Sequence, residues 1–244
     1  MGQQFLKQLL VHKFLKYFGF FLFSIIFYGC SNNQNNAEFI KKASGRFLYN
    51  SDEVIKIYFK ENELFMEWRG AKNIKPLKIN ENVFFVKEMN EKIQFLTNPK
   101  DKQIYISLVH KEKNKPVGYN FRKLRDSEKV PSEFLKNNEF KKALEGYIAI
   151  KERDSLDTAI QEGNFNSLGY KKLRKKNYKE AIQVFKINVT LYPNSSNVYD
   201  SLAEAFMKSG DTLQAIANYE KSLTLDSNNS RAKKYIKKLS HHIK

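Results

Sequence analysis

Between Ser44 and Arg125 apolar and polar residues alternate with a period of two. Ile55, Ile57 and Phe59 interleave with Val54, Lys56 and Tyr58. Leu64, Met66 and Trp68 interleave with Phe65 and Glu67, and Ile104, Ile106 and Leu108 with Tyr105 and Ser107. Successive side chains of a strand point to opposite faces, so this alternation predicts strands with one buried face. Short polar stretches such as Glu61-Asn62-Glu63, Asn90-Glu91 and Asn98-Pro99-Lys100-Asp101 separate them, which allows only hairpin connections and an antiparallel meander. The strands are predicted over 45–50, 53–60, 63–69, 74–79, 82–88, 91–97, 103–110 and 117–124. A meander of this kind favours a closed eight-stranded barrel, because closure removes exposed edges; a two-sheet sandwich is the alternative. The inward positions are rich in Phe, Ile and Leu, which favours a filled interior over a cavity for one small apolar ligand.

After Arg125 the periodicity becomes helical, and it repeats. A shift of 34 residues aligns Leu168 with Leu202, Gly169 with Ala203, Ala181 with Ala215, Ile182 with Ile216 and Phe185 with Tyr219. Small residues recur where two helices of a hairpin would cross, and large ones recur between them. This pattern resembles the tetratricopeptide repeat (TPR). Lys172 departs from it where an aromatic residue or Leu is usual, with Leu173 beside it to serve instead. Asn188 departs at a small position, and Ser227 replaces a closing Pro. The stretch Phe140 to Tyr147 matches Tyr178 to Phe185 at a shift of 38 and reads as an irregular earlier hairpin. Helix starts are predicted at Asp154, Ser196 and Asp211, the last with Gln214 as a capping box. Ser230 to Ile243 reads as a terminal solubilising cap, with Ala232, Ile236 and Leu239 on one face and lysines around it. The expected fold class is therefore α+β: a β barrel over 44–125 and a short TPR α-solenoid over 127–244.

Four β segments carry a second likeness: Gly45-Arg46-Phe47-Leu48-Tyr49, Glu63-Leu64-Phe65-Met66, Lys92-Ile93-Gln94-Phe95 and Gly118-Tyr119-Asn120-Phe121-Arg122-Lys123. They resemble a lipocalin-like domain that sits behind the catalytic domain of penicillin-binding-protein-like serine hydrolases. The stretch from Asn166 to Leu202 looks like the helical tail that follows some such hydrolases of Bacteroidetes. The resemblance implies an accessory tail without its enzyme, since only about 43 residues precede the β region.

Those preceding residues read as an address. A basic stretch with Lys7, Lys13 and Lys16 leads into a 13-residue apolar run, Tyr17 to Gly29, too short to span a bilayer and right for a signal-peptide core. Cys30, the only cysteine, follows Phe27-Tyr28-Gly29. This resembles a relaxed lipobox of Bacteroidetes-type lipoproteins, with Phe27 and Tyr28 bulkier than usual. The resemblance implies lipidation at Cys30, an anchor of three acyl chains and residence in the cell envelope. Ser31 in place of a retaining Asp favours the periplasmic face of the outer membrane. A polar run from Ser31 to Asn36 continues a tether expected over 30–43, after a signal peptide over 1–29.

Charge and chemistry narrow the function. The net charge is +17, and the segments 30–126 and 127–244 each carry +7. An even spread of lysine argues against a focused nucleic-acid stripe. The four histidines are scattered: His12 in the leader, His110 alone at a strand end, and His241 and His242 in the tail. They suggest neither a metal site nor a Ser-His-acid triad. No phosphate-cradling glycine loop occurs. Ser230-Arg231-Ala232-Lys233 has a serine–lysine spacing known from penicillin-binding proteins, but with no domain around it. The chain is thus expected to need no cofactor and to catalyse nothing. Candidate groove residues come from the first helix of each hairpin: Asn166, Tyr170 and Arg174, then Asp200, Glu204 and Lys208, each set spaced by four on one helix face. They are expected to hold a protein or peptide partner, although the pair Glu204 and Lys208 also fits a plain solvated face. A small apolar ligand in the barrel, or accessory work for a separate hydrolase, is the alternative.

Overall fold

The computed structural model describes residues 35–110 and 116–241. The predicted signal peptide, Cys30 and His242 lie outside the described residues.

Two antiparallel sheets replace the expected barrel. The first runs β1 (Gly45–Leu48), β2 (Val54–Lys60), β3 (Glu63–Trp68) and β4 (Ala71–Ile74), in that order. The second runs β5 (Leu77–Lys78), β6 (Val83–Val86), β7 (Glu91–Thr97), β8 (Ile104–Leu108) and β9 (Phe121–Arg122). The predicted strand at 74–79 is the point of failure. It divides into β4 and β5, which belong to different sheets with no ladder between them. Pro76 stands at the division; it has no N–H to donate and its ring fixes φ. Register also slips between Met66 and Trp68 where β3 meets β4, and Asn73 takes a positive φ of 57°. On the opposite side the sheets touch through one bridge, Phe47 to Lys123, and through Leu124 N–H to the Arg46 carbonyl at 2.7 Å. The barrel therefore never closes.

Both sheets still serve one core. Phe47, Ile55, Ile57 and Met66 of the first sheet meet Phe84, Ile93, Phe95 and Ile106 of the second, all fully buried. The registers Phe47–Ile55 and Phe95–Ile106 keep these side chains on the inner face. Phe39 joins them, its ring 5.7 Å from Phe84, 5.5 Å from Phe95 and 6.1 Å from Phe59. With no barrel there is no lumen, and aromatic rings occupy the centre. The expectation of an apolar ligand carried in a barrel falls with it.

Phe39 belongs to α1 (Ala37–Ala43), a helix where a tether was expected. Asn36 caps it, its Oδ1 accepting from Phe39 N–H at 2.7 Å. Phe39 and Ala43 have apolar surface to bury, and burial orders a segment that its polar lead-in disguised. At the other end, the half-buried Lys123 ammonium donates to the Lys42 carbonyl at 2.8 Å. Gly45 follows with φ +133°, a backbone conformation that strains any residue carrying a side chain, so glycine suits the turn into β1.

The rest is helical and TPR-like: α2 (Pro131–Lys136), α3 (Phe140–Arg153), α4 (Glu162–Arg174), α5 (Tyr178–Leu191), α6 (Ser196–Ser209), α7 (Thr212–Leu225) and α8 (Ser230–Ser240). α2 pairs with α3, α4 with α5 and α6 with α7; α8 closes the stack on α7. At the α4–α5 crossing a Cβ on Gly169 would lie 2.5 Å from the Phe185 ring, so the small residue is what lets the helices approach. Leu173 is buried, while Lys172 beside it pairs with Glu180. Asn188, at a small position, is buried and donates to the Glu162 carbonyl at 3.1 Å. Asp211 accepts from Gln214 N–H at 3.1 Å and starts α7. Asp154 starts nothing: it is the C-cap of α3. Asp157 instead caps a short 3-10 turn, Thr158–Ile160, that leads into α4.

Candidate partner-binding site

Two features occupy the side of the stack formed by the first helices. The first gathers three of the six sequence-predicted groove residues. Tyr170 on α4 donates its hydroxyl to Glu204 on α6 at 3.1 Å. Arg231 on α8 ion-pairs with Glu204 and reaches Asp200 at 3.3 Å. Asn229 Nδ2 adds a bond to Asp200 at 3.2 Å. Burial raises the Asp200 pKa, and the Arg231 charge works against that rise. Lys208 lies 3.6 Å from Glu204, the i,i+4 pair of a solvated helix face. These side chains tie α4, α6 and α8 together. Asn166 is half-buried on α4, its Oδ1 without a hydrogen-bond partner among the described residues. Arg174 is exposed and forms no ion pair among the described residues.

Sequence reasoning missed Arg231, although the repeat contained it. A shift of 34 from Asn197 lands on Arg231. Asn197 on α6 reaches back to Glu162 on α4 at 2.8 Å, as Arg231 on α8 reaches back to α6. The periodicity that found the hairpins thus also marked the residue joining the cap to them.

The second feature is a pocket of about 640 Å³ at the other end of the stack, between α2, α4 and the β1–β2 loop. Leu135, Phe165 and Leu168 give it apolar surface, and Lys136, Lys171, Lys172 and Lys175 give it positive charge. Asn50, Asp52 and Glu53 of the loop form one wall. The loop is held there by a seam of polar contacts. Asp52 accepts from Ser132 N–H at 2.5 Å and from the Tyr147 hydroxyl at 2.9 Å, and its own carbonyl accepts from Ser132 Oγ at 2.9 Å. Ser51 bonds to Asp157 and accepts from Arg153. Arg46 donates to the Glu128 carbonyl at 2.7 Å and pairs with Glu133. Burial raises the Asp52 pKa, and its hydrogen-bond donors partly offset this. Burial, together with the Asp52 carboxylate, pushes the Tyr147 phenol up.

No sequence signal pointed to this pocket, because a loop of the β region, three helices and the 3-10 turn build it jointly. It lies within the size range of ligand-binding clefts and combines apolar surface with a few polar groups. Among the described residues no cluster of His, Cys, Asp and Glu could hold a metal ion, and no helix is long and apolar enough to cross a membrane.

No family model matches the chain, and no curated protein matches it. The likeness to hydrolase tails therefore stands on the quoted segments alone. Solved structures similar to part of the chain are TPR proteins and a secretion chaperone. The first TPR domain of human RPAP3 is 18% identical, covering 46% of this chain and 86% of that one, with a TM-score of 0.34. The Yersinia enterocolitica type III secretion chaperone SycD, solved with a peptide of the translocator YopD, is 13% identical, covering 47% and 89%, with a TM-score of 0.33. Pseudomonas aeruginosa PilF is 27% identical, covering 46% and 50%, with a TM-score of 0.32. At such scores the TPR-like character of the helices rests on their own 34-residue repeat and hairpin packing.

Proposed function

We propose that this chain is a non-catalytic protein-binding module of the cell envelope. It holds an extended segment of a partner protein in the pocket between α2, α4 and the β1–β2 loop. A lipid on Cys30 keeps it at the periplasmic face of a membrane, in the outer membrane by the Ser31 criterion. The observation that carries the binding role is the pocket itself: an apolar floor with a polar rim, open on the side that the first helices share. The Tyr170, Asp200, Glu204 and Arg231 cluster is a brace in this reading, holding the first helices in line. Arg174, exposed near the pocket-lining lysines on α4, extends the basic rim.

Photo-crosslinkers placed at Lys171 and, as a control, at exposed Glu220 on α7 test the role in intact cells. A discrete adduct from the first position alone, lost on Leu168→Glu, is the expected result. Equal labelling at both positions would discard the pocket. For the anchor, Cys30→Ala is expected to move the protein from the membrane fraction to the soluble one. Retention in the membrane, with no acyl mass on the N-terminal peptide of the wild type, would discard lipidation.

A further inference from the structure

We infer that the pocket selects an acidic peptide segment that carries an apolar side chain between its carboxylates. This rests on the pocket being the partner site and names the chemistry of the partner.

The inference follows from which charges at the pocket are already satisfied. Two acids line it, and both are engaged internally. Asp52 is bonded to Ser132 and Tyr147, and Glu53 is paired with Arg69 at 3.2 Å. Of the four lysines, Lys172 is paired with Glu180, and Lys136 faces the Asp52 carboxylate. Lys171 and Lys175 have no ion pair among the described residues. Lys171 lies in the last turn of α4 and Lys175, four residues on, is its C-cap; both are exposed. The field an approaching ligand meets is therefore that of two unneutralised ammonium groups above Leu135, Phe165 and Leu168.

A cationic segment would be repelled, and a neutral one would leave the lysines without partners. A segment with carboxylates on either side of a Leu- or Phe-like residue meets both demands. Its apolar side chain is removed from water on the floor, and its acids sit at the rim. Exposed charges of this kind contribute more to encounter and discrimination than to raw affinity, and salt screens them. The β1–β2 loop blocks one end of the pocket, so the segment enters from the α4 side.

The test uses the full chain in detergent and fluorescein-labelled dodecapeptides read by fluorescence anisotropy. One peptide has a central Phe flanked by Asp and Glu, a second the same Phe flanked by Ser and Gln, and a third the acidic flanks around Ser. A single-stranded DNA dodecamer supplies a phosphate competitor of similar charge. The acidic Phe peptide is expected to bind at least tenfold tighter than either other peptide and to weaken as salt is raised. Lys171→Gln with Lys175→Gln should remove most of that advantage without changing the thermal unfolding curve, since both side chains are exposed. Equal binding of the neutral Phe peptide, lost on Leu168→Glu but untouched by the lysine changes, would overturn the acid preference and leave the pocket standing. DNA binding as tight as the acidic peptide, and indifferent to Leu168→Glu, would overturn it in favour of a phosphate surface. Binding of none of the four would overturn both the preference and the pocket.

Discussion

Phe95 in the sheets and Phe185 in the helices are both fully buried, but their neighbours reach them from different distances along the chain. Phe95 packs against Phe39 from α1, Phe47 from β1 and Phe84 from β6. Phe185 packs against Gly169 and against Tyr170, whose ring is 5.3 Å away, both on the preceding helix. The β half buries its aromatics only when four separated segments assemble at once. The helical half does so one hairpin at a time. Nearest-neighbour stacking of this sort makes the stability of a solenoid close to a sum of local terms, while a sheet core is lost as a unit.

Phe95→Ala probes that contrast most strongly. It is expected to cost about 3–5 kcal/mol, the usual range for emptying a buried Phe site. The loss should fall on the sheets. Trp68, the sole tryptophan, lies in β3 and reports them by fluorescence, while far-ultraviolet circular dichroism reports the helices. The Trp68 transition should move to lower urea ahead of the dichroism transition. Transitions that move together would mean the two halves form one cooperative unit.

Gly169→Val is the counterpart in the helices. Its methyl groups would enter the space of the Phe185 ring, at a cost of about 1–3 kcal/mol by overpacking. Here the dichroism transition should move and the Trp68 transition should not.

Asp52 joins the halves, and its removal tests how firmly. Asp52→Ala leaves the Ser132 N–H and the Tyr147 hydroxyl without their acceptor, at about 1–3 kcal/mol. Asp52→Asn keeps an acceptor for Ser132 and removes the buried charge. Because the folded pKa of Asp52 lies above its ordinary value, this group favours folding most when protonated. That contribution is lost as pH rises from its unfolded value of 3.8 through the raised folded one. Urea midpoints of the Asn variant measured from pH 4 to 7 should accordingly show less loss on the alkaline side than those of the wild type.

Glu128 gives the smallest effect and the opposite sign. Hydrogen bonds from Arg122, then from Arg125 N–H, hold its carboxyl down to about 2. Its stabilisation is present above the ordinary value of 4.5 and disappears as pH falls toward about 2. Solvent screening of a partly exposed pair reduces it to about 1 kcal/mol at neutral pH. Glu128→Gln should therefore flatten the acid limb of the stability curve between those two values. An unchanged limb would show that Arg122 gives Glu128 nothing it lacks when unfolded.

Legibility followed the same division. The 34-residue shift located Gly169, Phe185, Ala203 and Tyr219, because each meets partners one or two helices away. It also held Arg231 in register, although the spacing of its neighbour Ser230 to Lys233 drew attention to unrelated chemistry. In the β half the alternation picked out Ile55, Ile57, Met66 and Ile106 as inward residues, and the core contains them. It did not reveal that Pro76 divides a single apolar run between two sheets. Phe39 was hidden too: a polar lead-in suggested a tether, and only the sheets' aromatic core makes a helix there worth forming. Of the groove candidates, Tyr170, Asp200 and Glu204 meet in the structure, where their contacts link α4, α6 and α8. The pocket lysines lay in plain view in a basic stretch without any sign of what they surround.

The order of the chain alone determined the helical repeat, the alternation of strand faces and the excess of positive charge, all properties set by neighbours a few residues apart. Whether the sheet would close, whether α1 would form, and that Asp52 would reach Ser132 and Tyr147 to wall a pocket were decided only by the assembled structure. Each of those outcomes depends on groups far apart in the chain meeting at fixed distance, and no local pattern encodes a meeting of that kind.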